Sequence, residues 1–216
     1  MKETHTKPQI STSGNTLKLI GIISMVIDHV GLLFFPHITI FRIIGRLALP
    51  IFAYAIVKGY KHTSNLDRYI KRLLILALIS QIPFMLVTKI MALNIIFTLV
   101  LGLILIDSYE KKNYLIGIII LLFPFFIEID YSIYGLLLIL SFHVFKKPIN
   151  AFYIQACLNT VWIFFSSIIQ MFSLFGSVLC LFEEKLLPKI KMNKYFFYAF
   201  YPIHLMILYL IKIIFI

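Results

Sequence analysis

Apolar runs follow one another along almost the whole chain, separated only by short polar stretches. Hydrophobic residues make up 61% of the 216 residues and charged residues only 13%, whereas a soluble domain carries about 25% charged residues. A chain with so few charges cannot form a water-soluble globule, so the sequence predicts an all-α polytopic bundle of transmembrane helices. At about 20 residues per span, there is no room for a separate soluble domain. We therefore expect one transmembrane domain over residues 1–216, beginning with a polar cytoplasmic tail at 1–15.

Nine apolar segments are predicted to be spans. They cover residues 16–35, 41–58, 69–88, 93–107, 113–127, 132–145, 149–165, 167–182 and 195–215. Several are shorter than a full span, and we expect these to be tilted or to cross only part of the bilayer, surrounded by protein. The stretch 149–182 is interrupted only by Ser166 and Ser167, so it predicts either a hairpin of two spans or one span with a re-entrant segment. The second alternative gives eight spans.

Basic residues are distributed unevenly between the loops. The chain has 20 Lys and Arg residues against 9 Asp and Glu, and sixteen of the basic ones lie in the N-terminal tail or in every second loop. Because cytoplasmic loops carry an excess of Lys and Arg, this pattern predicts nine spans, with the N-terminus in the cytoplasm and the C-terminus outside. The net charge of +11 is explained by these flanking residues, so we expect the lipid bilayer, and no nucleic acid, as a partner.

Ionisable residues that fall inside predicted spans and are functional candidates include Asp28, His29, Arg42, Arg46 and His204. Each costs about 2.5–3.5 kcal/mol on insertion scales and is a functional candidate by default. An aspartate beside a histidine can orient it or hold its proton, as a general base requires, and nearby arginines can stabilise an oxyanion or bind a carboxylate or phosphate. We expect one polar cavity in the middle-to-outer half of the bilayer to collect all five. The alternative is that Asp28 only neutralises a buried arginine.

Other polar positions within the spans are weaker candidates. Asn94 and Thr98 stand one helical turn apart near the start of the fourth span, and Gln81 lies near the end of the third. Such residues bind substrate or simply hydrogen-bond neighbouring helices. The sequence contains no metalloprotease, serine-hydrolase, ATP-binding or dinucleotide-binding motif and no cluster of metal-ligating residues, so we expect no bound metal.

Three short motifs occur in a specific order: DHxG at 28–31, RxxGRxxxP at 42–50 and YPxH at 201–204. With the stretches 80–84 and 94–99, they resemble the TraX family of integral membrane proteins, whose named member acetylates the N-terminus of a conjugative pilin. The resemblance covers the first hundred and the last twenty residues well, and residues 110–190 chiefly as hydrophobic spans. It implies an acyltransferase in a bacterial plasma membrane, which transfers acetyl from cytosolic acetyl-CoA to a pilin-like subunit or another small peptide.

The resemblance also suggests roles for the candidate residues. His29 would be the general base, oriented or charge-balanced by Asp28, and His204 the second candidate acid or base. The residues expected to bind CoA or the acceptor are Arg42, Arg46, Asn94, Thr98, Tyr201 and Gln81. The competing hypothesis is a non-catalytic transporter, immunity or assembly protein in which Asp28 and His29 form a proton relay.

Overall fold

The structure is a computed structural model that describes residues 13–145, 147–183, 187–188, 190 and 192–215. Residues 1–12 of the predicted polar tail at 1–15 lie outside the described residues, as do the basic residues Lys146, Lys185, Lys189 and Lys191. Within them the chain is helical, which confirms the predicted all-α class, and one isolated bridge joins Leu93 to Ile129. The α-helices of the described residues are α1 Ser13–Phe34, α2 Thr39–Gly45, α3 Ala48–His62, α4 Leu66–Thr88, α5 Ile95–Glu110, α6 Tyr114–Leu122, α7 Ser132–Val144, α8 Pro148–Trp162, α9 Ser173–Leu181 and α10 Lys194–Phe215.

The length and apolar composition of its helices indicate that this chain is a membrane protein. Four helical segments of the described residues are long and apolar enough to cross a bilayer: Asn15–Phe34, Thr39–His62, Leu66–Thr88 and Tyr195–Phe215. Shorter apolar helical segments are Tyr114–Phe125, Ser132–Val144 and Ile168–Leu181. The count of nine spans and the cytoplasmic N-terminus stay predictions.

The predicted second span, 41–58, is longer than expected and consists of two consecutive helices. Residues 39–62 are helical except at Arg46 and Leu47, where α2 ends and α3 begins. The close approach of α1 explains why α2 ends in glycine: a Cβ atom on Gly45 would lie 2.0 Å from Oδ1 of Asp28. Only glycine lets the two backbones come this close.

The stretch 149–182 folds into two helical segments that pack on each other, namely α8 and a 3₁₀ turn at Ile168–Phe172 that continues into α9. A buried polar network joins them to α7. Asn159 Nδ2 donates to Ser173 Oγ (3.1 Å), Gln155 Nε2 donates to the same oxygen (2.9 Å), and Tyr134 donates to Asn159 Oδ1 (2.7 Å). Ser177 is bonded to Gln155 as well. Such hydrogen bonds between helices stabilise packing where apolar contacts alone are weak.

The centre of the bundle is formed by α3, α5 and α7, which pack against one another. The side chains that they bury almost completely include Leu49, Ala53, Leu103, Ile106, Leu138 and Ile139. By contrast, α6 exposes Leu115, Ile118 and Ile119 by more than half, an apolar face suited to lipid. The remaining helices therefore surround a buried apolar centre.

The two ends of the bundle differ in character. The starts of α1, α4 and α10 meet the end of α3 at one end, which we call the proximal end. At the opposite, distal end, the loop before α5 binds the loop before α7: Leu93 N donates to Glu128 O (2.9 Å) and Asp130 N donates to Leu93 O (2.8 Å). This pairing fixes the acidic loop 128–131 beside the candidate site.

Candidate functional site

Asp28 on α1 forms an ion pair with Arg42 on α2, with 2.7 Å between Oδ2 and Nη1. The side chains are 18% and 29% exposed, respectively. Ser24, one turn before Asp28, donates its hydroxyl to Ile44 O (2.5 Å), and Gly45 lies directly against Asp28. Two predicted site residues are thus brought together by the close packing of α1 on α2.

His29 and His204 also meet, across the contact between α1 and α10. Nδ1 of His29 lies 3.1 Å from Nε2 of His204, and Nδ1 of His204 lies 2.9 Å from the carbonyl oxygen of Phe200. A carbonyl only accepts, so Nδ1 of His204 carries the proton, and in the neutral pair its Nε2 accepts from His29. The lone pair of His29 then stands on Nε2. The hydrogen-bond network therefore assigns His29 the tautomer that a general base needs.

Arg46 reaches the distal loops. Its Nη1 lies 3.5 Å from both the hydroxyl of Tyr131 and Oε1 of Gln170. Thr98 donates to the backbone oxygen of Asp130 (2.6 Å), which fixes the loop facing Arg46. The pKa of the Asp130 carboxyl is raised to about 6, because burial disfavours the charged form more than Arg46 favours it.

Several buried polar atoms of this region have no hydrogen-bond partner among the described residues. They are Oδ1 of Asp28, Nε of Arg46 and Nε2 of Gln170. Gln170 is only 4% exposed. Buried polar groups are nearly always paired, so three unpaired ones in one cluster call for an explanation.

Asn94 and Gln81 bind each other and the neighbouring backbone. Asn94 Nδ2 donates to Gln81 Oε1 (2.9 Å) and to Ala77 O (2.8 Å), while Gln81 Nε2 donates to Ala92 O (2.8 Å). Oδ1 of Asn94 caps α5 by accepting from Ile96 N (3.0 Å). These bonds hold the turn between α4 and α5, and a substrate-binding role for the two side chains stays a prediction.

A cavity of about 620 Å³ leads into the bundle from the proximal end. Its mouth is lined by Lys18, Lys58 and His62, and its walls are largely apolar. Tyr201, a predicted binding residue, lines it together with Phe200. The Phe200 ring stacks on His204, with 5.1 Å between centroids. The cavity therefore ends one layer of side chains from the histidine pair.

Sequence reasoning missed four residues of this region: Asp130, Tyr131, Gln170 and Glu183. In the sequence, Asp130 stands out only as part of an acidic loop. Gln170 stands out only as an amide side chain inside an apolar run. Glu183 is 1% exposed and binds Lys58 at the cavity mouth, with 2.7 Å between Oε2 and Nζ. In the part of the chain that the structure describes, no group of three His, Cys, Asp or Glu side chains could hold a metal ion.

Comparisons with known proteins agree with the motifs. Residues 13–212 match the family model described as TraX protein. An uncharacterised protein of Rickettsia prowazekii is 38% identical over 87 residues, which are 40% of this chain and 33% of that protein. "Probable fimbrial assembly protein FimC, serogroup H1" of Dichelobacter nodosus is 39% identical over 79 residues, 35% of this chain and 32% of that protein. The chain thus spans about a third of the length of these curated relatives. No solved structure matches it.

Proposed function

Because the chain belongs to the TraX family, we propose that it is an integral membrane acetyltransferase that transfers acetyl from acetyl-CoA to an amine. The observation that carries this proposal is the hydrogen-bonded series from the Phe200 carbonyl through His204 to His29. It gives His29 an unprotonated Nε2, and among the described residues no hydrogen bond occupies that atom. His204 then acts as the positioning residue for the base.

The proximal cavity suits the acyl donor. Lys18 lies at its mouth beside the Lys58–Glu183 ion pair and offers positive charge to the phosphates of CoA, while the apolar interior suits the pantetheine arm. Lys18 and His29 lie on the same helix, and their separation along its axis is about 16 Å at 1.5 Å per residue. A long, thin thioester entering from a cytosolic side would therefore present its reactive carbonyl near the histidine pair.

The chemistry follows from these positions. The acceptor nitrogen attacks the thioester carbonyl carbon and releases its proton to Nε2 of His29. The C–S bond then breaks, and the CoA thiolate takes that proton from His29 as it leaves. Arg42, within electrostatic reach of His29, would stabilise the negative charge that develops on the carbonyl oxygen.

A pilin-like subunit or another small exported peptide is the acceptor that we propose. The resemblance to the pilin-acetylating family member supports it, and so does the similarity to a protein whose name says that it assembles fimbriae. Catalysis in the bacterial plasma membrane would bring such a peptide to the distal end while acetyl-CoA enters from the cytosol.

A second candidate is a non-catalytic assembly factor or small transporter with Asp28 and His29 as a proton relay. The name of the fimbrial relative favours this reading equally, because assembly requires no acyl transfer. Acetyl-CoA separates the two hypotheses, since only the enzyme must bind it and release its thiol.

The test uses the full chain in detergent or nanodiscs, with acetyl-CoA and a short peptide amide as acceptor. Free thiol and the acetylated peptide are both measured, together with direct binding of CoA. We expect His29→Ala to abolish turnover and His204→Gln to slow it while acetyl-CoA still binds. His37→Ala, in an exposed distal loop, is the matched control and should leave turnover unchanged. Well-folded protein that neither binds acetyl-CoA nor releases thiol would refute the enzyme and favour the second candidate.

A further inference from the structure

Tyr201 brings a polar group into the largely apolar proximal cavity. It lines the cavity, is only 7% exposed and is packed in the apolar core of the bundle. It stands seven residues after Lys194, the start of α10, which is about 10 Å along the helix axis at 1.5 Å per residue. Among the described residues, no hydrogen bond occupies its hydroxyl group. Because buried polar groups are nearly always paired, this hydroxyl is suited to bind a molecule inside the cavity.

The unpaired polar atoms of the charged cluster are placed differently. Those of Asp28, Arg46 and Gln170 belong to residues outside the lining of this cavity. A thioester that enters from the proximal end can therefore reach the hydroxyl of Tyr201, but not those three atoms.

The spacing of the YPxH motif places Tyr201 beside the histidine pair. Residues three apart in a helix share a face, and the rings of Tyr201 and His204 lie 5.6 Å apart between centroids. His204 in turn contacts His29 at 3.1 Å. From the distal side, Asp130 and Tyr131 are within electrostatic reach of Tyr201. The tyrosine thus stands where a donor in the cavity would meet an acceptor from the distal end.

We propose that the hydroxyl of Tyr201 donates a hydrogen bond to the carbonyl oxygen of the acetyl thioester and so stabilises the oxyanion of the transfer step. This role rests on the proposed function. A carbonyl oxygen only accepts hydrogen bonds, and a tyrosine hydroxyl can donate one. A preorganised donor at such an oxygen is most effective where water is excluded. Tyr201 is then a neutral complement to Arg42, whose charge is already engaged by Asp28.

The electrons of this step balance without a further reactant. As the acceptor nitrogen bonds to the carbonyl carbon, the electron pair of the C=O double bond moves to the oxygen, where the hydrogen bond from Tyr201 stabilises the charge. The tyrosine keeps its proton throughout. The electron pair then returns to form the amide carbonyl as the C–S bond breaks, and the thiolate leaves with the proton that His29 took from the nitrogen.

Tyr201→Phe keeps the ring and removes only the hydroxyl, so it isolates this hydrogen bond. The full chain in nanodiscs is titrated with acetyl-CoA by isothermal calorimetry, and thiol release is measured at saturating acetyl-CoA with a short peptide amide. We expect the turnover number to fall about 100-fold, while the dissociation constant of acetyl-CoA changes less than about threefold. Tyr209→Phe, on the same helix but outside the cavity lining, is the matched control and should change neither quantity.

A second measurement does not depend on turnover. Acetyl-CoA that is isotopically labelled at the carbonyl carbon is bound without an acceptor, and the infrared stretching frequency of this carbonyl is recorded. A hydrogen bond lowers the frequency because it weakens the C=O bond. We expect a lower frequency in the unmodified protein and in Tyr209→Phe than in Tyr201→Phe, whereas a role of the hydroxyl in packing alone would leave the frequency unchanged.

Three results overturn the inference. The first is an unchanged turnover number in folded Tyr201→Phe. The second is a loss confined to acetyl-CoA binding, which would place the hydroxyl on the pantetheine arm instead. If Tyr201→Phe does not fold, the third decides: a carbonyl that absorbs, when bound to the unmodified protein, at its frequency in an apolar solvent.

The same samples separate this inference from the proposed function. If the infrared shift is lost in Tyr201→Phe while no amine is acetylated by the unmodified protein, the hydrogen bond stands and the transferase falls. If folded Tyr201→Phe turns over normally, the transferase stands and the role of Tyr201 falls. Unmodified protein that does not bind acetyl-CoA overturns both.

Discussion

Adding one methyl group at Gly45 tests the packing that forms the ion pair. The new Cβ atom would lie 2.0 Å from Oδ1 and 2.4 Å from both Cβ and Cγ of Asp28, whereas ordinary contacts begin near 3.4 Å. Rotating the carboxylate cannot relieve the contact with Cβ of Asp28, so α1 and α2 must separate by about 1 Å. Overpacking of this kind costs up to about 3 kcal/mol, and the better helix propensity of alanine returns about 1 kcal/mol.

We therefore expect Gly45→Ala to destabilise the folded protein by about 2 kcal/mol. For a chain of this size this lowers the melting temperature by about 4–8 °C, measured by fluorescence-detected unfolding in detergent. Thiol release by the proposed transferase should fall at least tenfold, because displacing its proposed catalytic groups by about 1 Å costs up to about 100-fold in rate. Gly117→Ala is the matched control, since its Cβ would meet only Ser108 Oγ at 3.2 Å and Leu105 at 3.7 Å.

The difference in melting temperature between the two variants tests the close packing of α1 on α2. Gly117→Ala should melt at or slightly above the temperature of the unmodified protein. If Gly45→Ala melts with it and retains its rate of thiol release, then α1 and α2 do not approach each other as closely as described, and the argument for the Asp28–Arg42 pair fails.

Three further variants test the electrostatics and the buried hydrogen bonds. The pKa of Asp130 is raised to about 6 by burial, so ionisation of this carboxyl group opposes folding. The increase in melting temperature caused by Asp130→Asn should therefore become larger from pH 4 to pH 7. An increase that does not change with pH contradicts a raised pKa. Asn94→Ala removes a helix cap and buried hydrogen bonds, and it should lower the free energy of unfolding by about 2–3 kcal/mol. Asn113→Ala, at an exposed helix cap, should lower it by at most about 1 kcal/mol. Chemical denaturation measures both changes. Lys58→Met leaves Glu183 charged and buried and should cost about 3 kcal/mol; adding Glu183→Gln should restore most of the melting temperature, and no restoration refutes the pairing.

The sequence alone predicts the helical class because so few residues could face water. It also singles out His29, His204, Asp28 and Arg42 correctly as residues that meet, since an ionisable side chain in a span needs a partner. The sequence left two roles open for Asp28, which was expected either to orient His29 or to neutralise a buried arginine. In the structure Asp28 binds Arg42, while His204, whose pairing with His29 was not predicted, is the hydrogen-bonding partner of His29. Neighbouring side chains in an α-helix point about 100° apart around the helix axis. Asp28 and His29 therefore face different helices.

Residues contributed by loops and by the 3₁₀ turn could not be found in this way. Gln170 lies in an apolar run whose periodicity gives no sign of the turn, and Asp130 lies in a loop that reads as solvated. Their positions depend on long-range contacts, such as the bond from Thr98 to the backbone of Asp130 and the pairing of the loops before α5 and α7. No local pattern encodes contacts of that range.

The two ends of the bundle present side chains of opposite charge. A transferase in a membrane must keep water away from the thioester while admitting two substrates of opposite charge. The cavity at the proximal end is lined by Lys18 and Lys58, whose charge suits the proposed anionic donor. A surface depression of about 260 Å³ at the distal end is lined by Glu128 and Asp130, whose charge suits a cationic acceptor. The histidine pair lies between the two ends, at the contact between α1 and α10. If the proposed transferase admits each substrate through its own entrance, neither must dissociate before the other binds, and we expect ternary-complex kinetics.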